Sequence, residues 1–212
     1  MKRDKTIIFD FDGTIASTLI ALTEIYNKIA PRYNCKPVEL KDADRLRNTR
    51  PQEFMREYGV SQVKLPFLVL STRRELHKRI EDVKPQAGIC STLKELKELG
   101  YTLGIVTSNS QKNISSFLLK NDLSDIFDFL ETGTHVFGKH RKIRRILKER
   151  NIPADACIYV GDETRDVEAA KRVCIPVIAV SWGFNDGNVL RRLDPDFTVD
   201  EPQELIELLK NM

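Results

Sequence analysis

The chain has 212 residues, 41% of them hydrophobic and 31% charged, with a formal net charge of +3. That length fits one domain or a domain with a small insert, and it carries enough apolar side chains for a real core. The charge is too small to imply nucleic acid, no apolar stretch approaches the ~20 residues of a membrane span, and no signal-peptide core follows the charged start Met1-Lys2-Arg3-Asp4-Lys5.

The first predicted element is a strand. Ile7-Ile8-Phe9 is a short apolar run with β-branched residues, and it stops abruptly at Asp10-Phe11-Asp12-Gly13-Thr14. Asp10 then stands at a strand's C-terminal end, the edge where open α/β sheets bind ligands. Side chains alternate along a strand, so Asp10 and Asp12 share a side if the extended path continues. Residues 15–33 read as a helix with Leu19, Leu22, Ile25, Tyr26 and Ile29 at helical spacing, closed by Pro31. A second helix is predicted near 38–47. A third begins at Pro51 and ends at Gly59, and a long mixed helix covers 65–83. No strand pattern appears between about 15 and 84.

After Pro85 strands and helices alternate. Helix 89–99 precedes strand 102–107, helix 111–121 and a short strand near 127–131. Helix 139–150, strand 156–160, helix 165–173, strand 176–180, strand 196–199 and helix 204–209 follow. Alternation of this kind predicts an α/β fold with a Rossmann-like parallel sheet covered on both faces. The helical block reads as an insert, so 1–15 with 85–212 is the expected core and 16–84 the expected cap.

Three further stretches fall where strands end. Thr107-Ser108-Asn109-Ser110 offers hydroxyls and N–H groups entering a helix, which suits a phosphate and equally suits a plain helix cap. Gly138-Lys139-His140-Arg141-Lys142 opens a helix with positive charge, near phosphoryl oxygens or simply on a solvated face. Gly161-Asp162-Glu163-Thr164-Arg165-Asp166 brings carboxylates that suit a hard cation such as Mg²⁺, although Gly-Asp is also an ordinary turn. Cys35, Cys90, Cys157 and Cys174 show no CxxC spacing, so reduced, buried thiols in a cytoplasmic protein are expected.

These four stretches, in this order, resemble the motifs of the haloacid dehalogenase (HAD) superfamily, whose phosphatases carry DxDx(T/V) and GDxxxD. The resemblance implies a Mg²⁺-dependent phosphatase for a small phosphorylated metabolite, phosphoglycolate-like as a first choice. In that reading Asp10 is the nucleophile and Asp12 the acid/base. Thr107 binds the phosphoryl group with Gly13, Thr14, Ser108 and Asn109, and Lys139 is the fixed cation with Lys142 in reserve. The metal is held by Asp10, by Asp12 through its backbone carbonyl, and by Asp162. Asp166 is a further ligand or a residue that orients them. Glu163, from its place alone, is either a further acidic candidate or a helix N-terminal charge, the second being preferred. A helical insert between the first two motifs resembles a C1-type cap, and Val180-Ser181-Trp182-Gly183-Phe184 resembles the phosphoglycolate-phosphatase-like branch. Arg45, Arg47 and Arg50 of the insert are candidates for an anionic substrate group. The expected protein is a monomer or homodimer with no nucleic-acid or membrane partner. A phosphomutase and a catalytically silent binding module are the alternatives.

Overall fold

The computed structural model describes residues 5–39, 42–133 and 138–212. Six parallel strands form one sheet: β1 (Thr6–Phe9), β2 (Thr102–Val106), β3 (Phe129–Glu131), β4 (Cys157–Gly161), β5 (Val177–Val180) and β6 (Phe197–Val199). Their order is β3-β2-β1-β4-β5-β6, so β1 is central and the winding direction reverses beside it. β1 pairs on one side with β2, Ile8 opposite Gly104, and on the other with β4, Ile8 opposite Tyr159. A reversal of this kind opens a crevice at the carboxyl ends of the strands.

Strand alternation sorts the core into two apolar layers. Ile7, Phe9, Leu103, Ile105, Ile158, Val160, Ile178 and Val180 face one way. They are covered by α5 (Ile89–Glu98), α6 (Gln111–Lys120) and α10 (Glu204–Asn211). Ile8, Val106, Tyr159, Val177 and Ala179 face the other way, under α7 (Lys139–Glu149), α8 (Thr164–Lys171) and α9 (Gly187–Arg191). Both faces are buried, which is why these strands read as continuous apolar runs.

Between β1 and α5 the described residues hold helices and no strand: α1 (Leu19–Ile29), α2 (Ala43–Arg47), α3 (Pro51–Tyr58) and α4 (Leu65–His77). The predicted helix near 38–47 includes residues 40 and 41, which lie outside the described residues, and α2 is its remainder. α3 begins at Pro51 and stops at Gly59, whose φ of 72° is the left-handed cap conformation. Two of the longer predictions are corrected. Residues 15–18 are not helical, because Ala16 bridges to Asp12 and to Pro85, and Ile15 is buried in the core. The stretch 65–83 is not one helix: α4 ends at His77, and a separate 3₁₀ turn spans Ile80–Asp82.

The two chain segments that join the helical block to the sheet lie side by side. Ala16 bridges Pro85 in antiparallel fashion, Ser17 N–H donates to the Lys84 carbonyl at 2.9 Å, and Gln86 N–H donates to the Ile15 carbonyl at 2.9 Å. All four cysteines are free. Cys35 and Cys157 are buried and Cys90 partly so, but Cys174 is exposed, against the expectation of buried thiols. No helix among the described residues is long and apolar enough to cross a membrane.

Candidate active site

β1 delivers Asp10 to the sheet's carboxyl edge. Its N–H still donates to the Val160 carbonyl at 2.9 Å, so the residue is fixed as though the strand continued. Phe11 turns into the core, fully buried and edge-on to Phe117 at 5.0 Å between ring centroids. That contact anchors the backbone between the two aspartates. Gly13 then takes φ +85°, and a Cβ there would lie 2.2 Å from Asp162 Oδ2. Gly13→Ala therefore combines left-handed strain with a clash against a buried carboxylate. A loss of roughly 2 kcal/mol or more is expected in a denaturant melt; an unchanged midpoint would show that the loop relaxes freely.

β4 delivers Asp162, and the first turn of α8 delivers Asp166; both are fully buried. Carboxylate oxygens of Asp10, Asp162 and Asp166 all lie within 4.8 Å of one another. The Asp12 carboxylate is not one of this trio. It faces the turn after β2 instead, where Asn109 Nδ2 donates to both of its oxygens at 3.1 Å. Asp162 Oδ1 accepts from the Thr14 hydroxyl at 2.6 Å and Oδ2 from Phe184 N–H at 2.7 Å. Asp166 Oδ2 accepts from Glu163 N–H at 3.1 Å, and its Oδ1 receives Lys139. So Thr14, expected on a phosphate, holds a carboxylate, and Glu163 sits at the N-cap of α8 as expected for a helix N-terminal charge.

Lys139 enters from the first turn of α7, 6% exposed, with Nζ 2.9 Å from Asp10 Oδ2. Asp10 Oδ2 is buried and accepts no well-aligned hydrogen bond, so this contact is electrostatic, and the oxygen keeps room for a further partner. Lys142, one turn of helix away, donates to the Thr107 carbonyl at 3.0 Å instead. The structure thus brings Lys139, not Lys142, to the acidic trio. Thr107 is buried, and its hydroxyl accepts from Asn109 N–H at 3.0 Å; Ser108 is partly exposed beside it.

Charge and burial act against each other throughout. Burial tends to discharge Lys139, but the carboxylates of Asp10 and Asp166 outweigh it and hold the ammonium up at about 12. Asp12 is pushed up to about 7, first by burial and then by the charge of Asp10. Asp166 rises to about 6 through burial, with Lys139 pulling the other way. Asp162 is also raised, by burial and by the charges of Glu163 and Asp10. Three buried carboxylates this close repel one another, and their hard oxygen donors suit a divalent cation.

Several residues of the site had no sequence-level signal. Arg165 reaches the site from α8, paired with Glu163, and its charge is sustained by Glu163, Asp10 and Asp166 against burial. Asn185 is buried; its Oδ1 accepts from Thr164 N–H at 2.9 Å and its Nδ2 donates to the Arg47 carbonyl at 3.0 Å. Gln86 Nε2 donates to the Gly13 carbonyl at 2.7 Å. Trp182, singled out already within Val180–Phe184 by the sequence, does reach the site: its Nε1 donates to the Thr14 carbonyl at 3.0 Å. Of the insert arginines expected near substrate, Arg45 pairs with Glu57 at 2.7 Å and Arg47 donates to the Ser181 carbonyl at 2.9 Å; Arg50 stands exposed at the N-cap of α3.

Known proteins bear on this geometry at several levels. Residues 7–180 match the family model for haloacid dehalogenase-like hydrolases. A phosphoglycolate phosphatase from Synechococcus elongatus is 33% identical over 208 residues, covering 98% of each chain. The pyrophosphatase PpaX from Bacillus cereus is 25% identical over 214 residues, covering 99% of this chain and 98% of its own. Among solved structures, a haloacid dehalogenase-like family hydrolase from Streptococcus pneumoniae superposes with a TM-score of 0.80 at 21% identity, over 97% of this chain and 98% of its own, and shares the fold. With a family model spanning most of its length and a relative matched from end to end, the chain belongs to the haloacid dehalogenase-like hydrolases, and it is an enzyme that stands among the family's phosphatases.

Proposed function

We propose that this enzyme is a Mg²⁺-dependent phosphatase that hydrolyses a small phosphomonoester through an aspartyl-phosphate on Asp10. The reading rests chiefly on one observation: Asp10 shares a buried cluster with Asp162, Asp166 and Lys139, while Asp12, two residues on, is held apart by Asn109. Two carboxylates in one motif with different partners suit two different roles. The phosphoglycolate phosphatase relative supports a short substrate of that kind.

The Asp10 carboxylate attacks phosphorus, forming an acyl–phosphate bond as the ester oxygen leaves. Asp12, raised toward neutrality, gives its proton to that departing alkoxide. In the second step Asp12 takes a proton from water, the hydroxide attacks phosphorus, and free phosphate leaves with Asp10 restored. Lys139 offsets negative charge beside the nucleophile, and Thr107 with Ser108, Asn109 and Gly13 provides polar contacts to the phosphoryl oxygens. Asp10 and Asp162, with the Asp12 carbonyl, would hold Mg²⁺. Asp166, whose oxygens already receive Glu163 N–H and Lys139, orients the set. When bound, the cation screens the repulsion between the carboxylates and an incoming anionic phosphate. Residues 16–84 act as a cap that covers the site and selects the leaving group, over a core of 1–15 and 85–212.

Thermal melts test the metal reading apart from turnover. A buried carboxylate whose folded pKa is raised weakens the fold as pH climbs from its unfolded pKa through the folded one. Asp162 and Asp166 are both raised, so in chelator the cluster costs more stability at pH 7.5 than at pH 5. Mg²⁺ at about a hundred times its Kd adds about 2.7 kcal/mol. For a chain of this size that is a Tm gain of roughly 5–10 °C at pH 7.5, shrinking at pH 5 as protons compete. A Tm indifferent to Mg²⁺ at both pH values would remove the metal from the scheme. Release of free phosphate, rather than transfer to an acceptor sugar, distinguishes hydrolysis from a mutase reaction.

A further inference from the structure

α4 carries Arg73 to the edge of the site from the helical block. The helix is docked there at two points one turn apart, both on the same buried amide. Asn113 Nδ2 donates to the Arg73 carbonyl at 3.3 Å, and Asn113 Oδ1 lies 3.0 Å from His77 Nδ1. The same Asn113 Nδ2 also donates to Asn109 Oδ1 at 2.9 Å, and Asn109 holds Asp12. Arg73 is therefore registered against Asp12 through two side-chain amides.

The guanidinium is only half-covered, and Nη2 donates to the Gly133 carbonyl beyond β3. Lys142 also lies against Gly133, and its ammonium is committed to the Thr107 carbonyl. Arg45, Arg79, Arg145, Arg165 and Arg191 each pair with a carboxylate. Among the described residues no carboxylate lies within ion-pair distance of Arg73, and Asp12 is the acidic group whose field it feels. A planar fork of donors kept without a counter-ion at the rim of a reaction site is matched to an incoming carboxylate or phosphate.

Position decides which part of a substrate that anion belongs to. Under the proposed mechanism Asp12 protonates the leaving alcohol, so the groups around Asp12 face the alcohol and not the phosphoryl group. We propose that Arg73 is a specificity-determining residue that binds a second anionic group, carboxylate or phosphate, on the leaving-group side of the substrate. The inference rests on the phosphatase reading and names the substrate class within it: short phosphoesters or anhydrides with a second negative charge within reach of one arginine. Of the three arginines that sequence alone offers for this task, Arg45 and Arg47 are occupied elsewhere, and Arg50 stands exposed at the N-cap of α3.

The test measures kcat and KM for the wild type, Arg73→Gln and Arg73→Lys on three probes: 2-phosphoglycolate, its uncharged isostere 2-phosphoglycolamide, and pyrophosphate. The wild type is expected to prefer a charged probe over the amide. Arg73→Gln should reduce that preference by about 10–100-fold, the scale of one charge-assisted hydrogen bond, mostly through KM. Arg73→Lys should recover part of it. A preference carried by 2-phosphoglycolate identifies the anion as carboxylate, and one carried by pyrophosphate identifies it as phosphate. Equal losses on charged and uncharged probes would overturn the assignment, as would a wild type that cleaves the amide as well as either charged probe. A wild type that releases phosphate from none of the three overturns the phosphatase reading together with it, whereas activity without charge preference overturns Arg73 alone.

Discussion

Asp10→Asn is expected to lower phosphomonoester hydrolysis by more than about 10⁴-fold. Loss of a single proton-transfer group typically costs ~10²–10⁴-fold, and removal of the nucleophile should exceed that because the covalent route itself is closed. The fold should survive. The amide has nearly the shape of the carboxylate, and Phe11 N–H, which donates to Asp10 Oδ1 at 2.8 Å, can still find an oxygen. Stability in chelator should not fall either, since the change removes one of three mutually repelling buried carboxylates and leaves Lys139 paired with Asp166. The checks are a phosphate-release assay and a thermal melt in EDTA. Turnover within tenfold of wild type would eliminate Asp10 as nucleophile. A large drop in Tm would mean instead that Asp10 acts through structure.

Asp12→Asn should separate the two chemical steps. With a poor leaving group both phosphorylation and turnover slow, because no proton reaches the alkoxide. With an activated phenol the first step needs little protonation, so the enzyme should still become phosphorylated and then stall, with dephosphorylation slowed by ~10²–10⁴-fold. Asn at this position keeps a carbonyl for Asn109 Nδ2, which now donates to both carboxylate oxygens, so the local geometry should hold. Rapid acid quench with labelled activated ester gives the readout. Protein-bound phosphate that builds up in Asp12→Asn, and not in wild type, is the expected result. If none accumulates while Mg²⁺ still raises the melting temperature, the division of labour between the two aspartates is wrong.

The sheet was legible in the sequence because both of its faces are buried: Ile7-Ile8-Phe9, Ile158-Tyr159-Val160 and Val177–Val180 are apolar whichever way a side chain points. The helical block was legible in kind and less so in its boundaries. Ile15 and Ala16 look like the start of α1 by periodicity, yet they are buried for another reason, as part of the paired segments at the base of the block. α9 was missed because Asn185-Asp186-Gly187 carries a strong turn signal and the helix after it is only five residues long. Within the site, Asp10, Asp162 and Asp166 each end a strand or open a helix, so local pattern pointed to them. Lys139 and Lys142 could not be separated that way, because both lie in one basic run; the turn of α7 decides which reaches Asp10. Arg73, Asn113 and Arg165 carry no local mark at all. For Arg73 and Asn113 the significance comes from contacts between segments far apart in the chain, such as Asn113 with Arg73, and for Arg165 from the charge of Asp10 across the sheet edge, which spacing along a chain does not encode.

The paired segments at Ala16 and Pro85 have a consequence for how such enzymes diversify. The chain leaves the sheet and returns to it through neighbouring positions, about 5 Å apart as antiparallel partners are. Whatever lies between them closes on itself, so its length adds only a slowly growing entropy term to the rest of the molecule. Asp10, Lys139, Asp162 and Asp166 all belong to segments outside that closed excursion. Another polypeptide with adjoining ends could be spliced in at this junction and leave the phosphate chemistry where it stands. The same chemical apparatus could then be re-addressed to new molecules by transplanting one continuous piece of sequence, a far smaller step than rebuilding a pocket residue by residue.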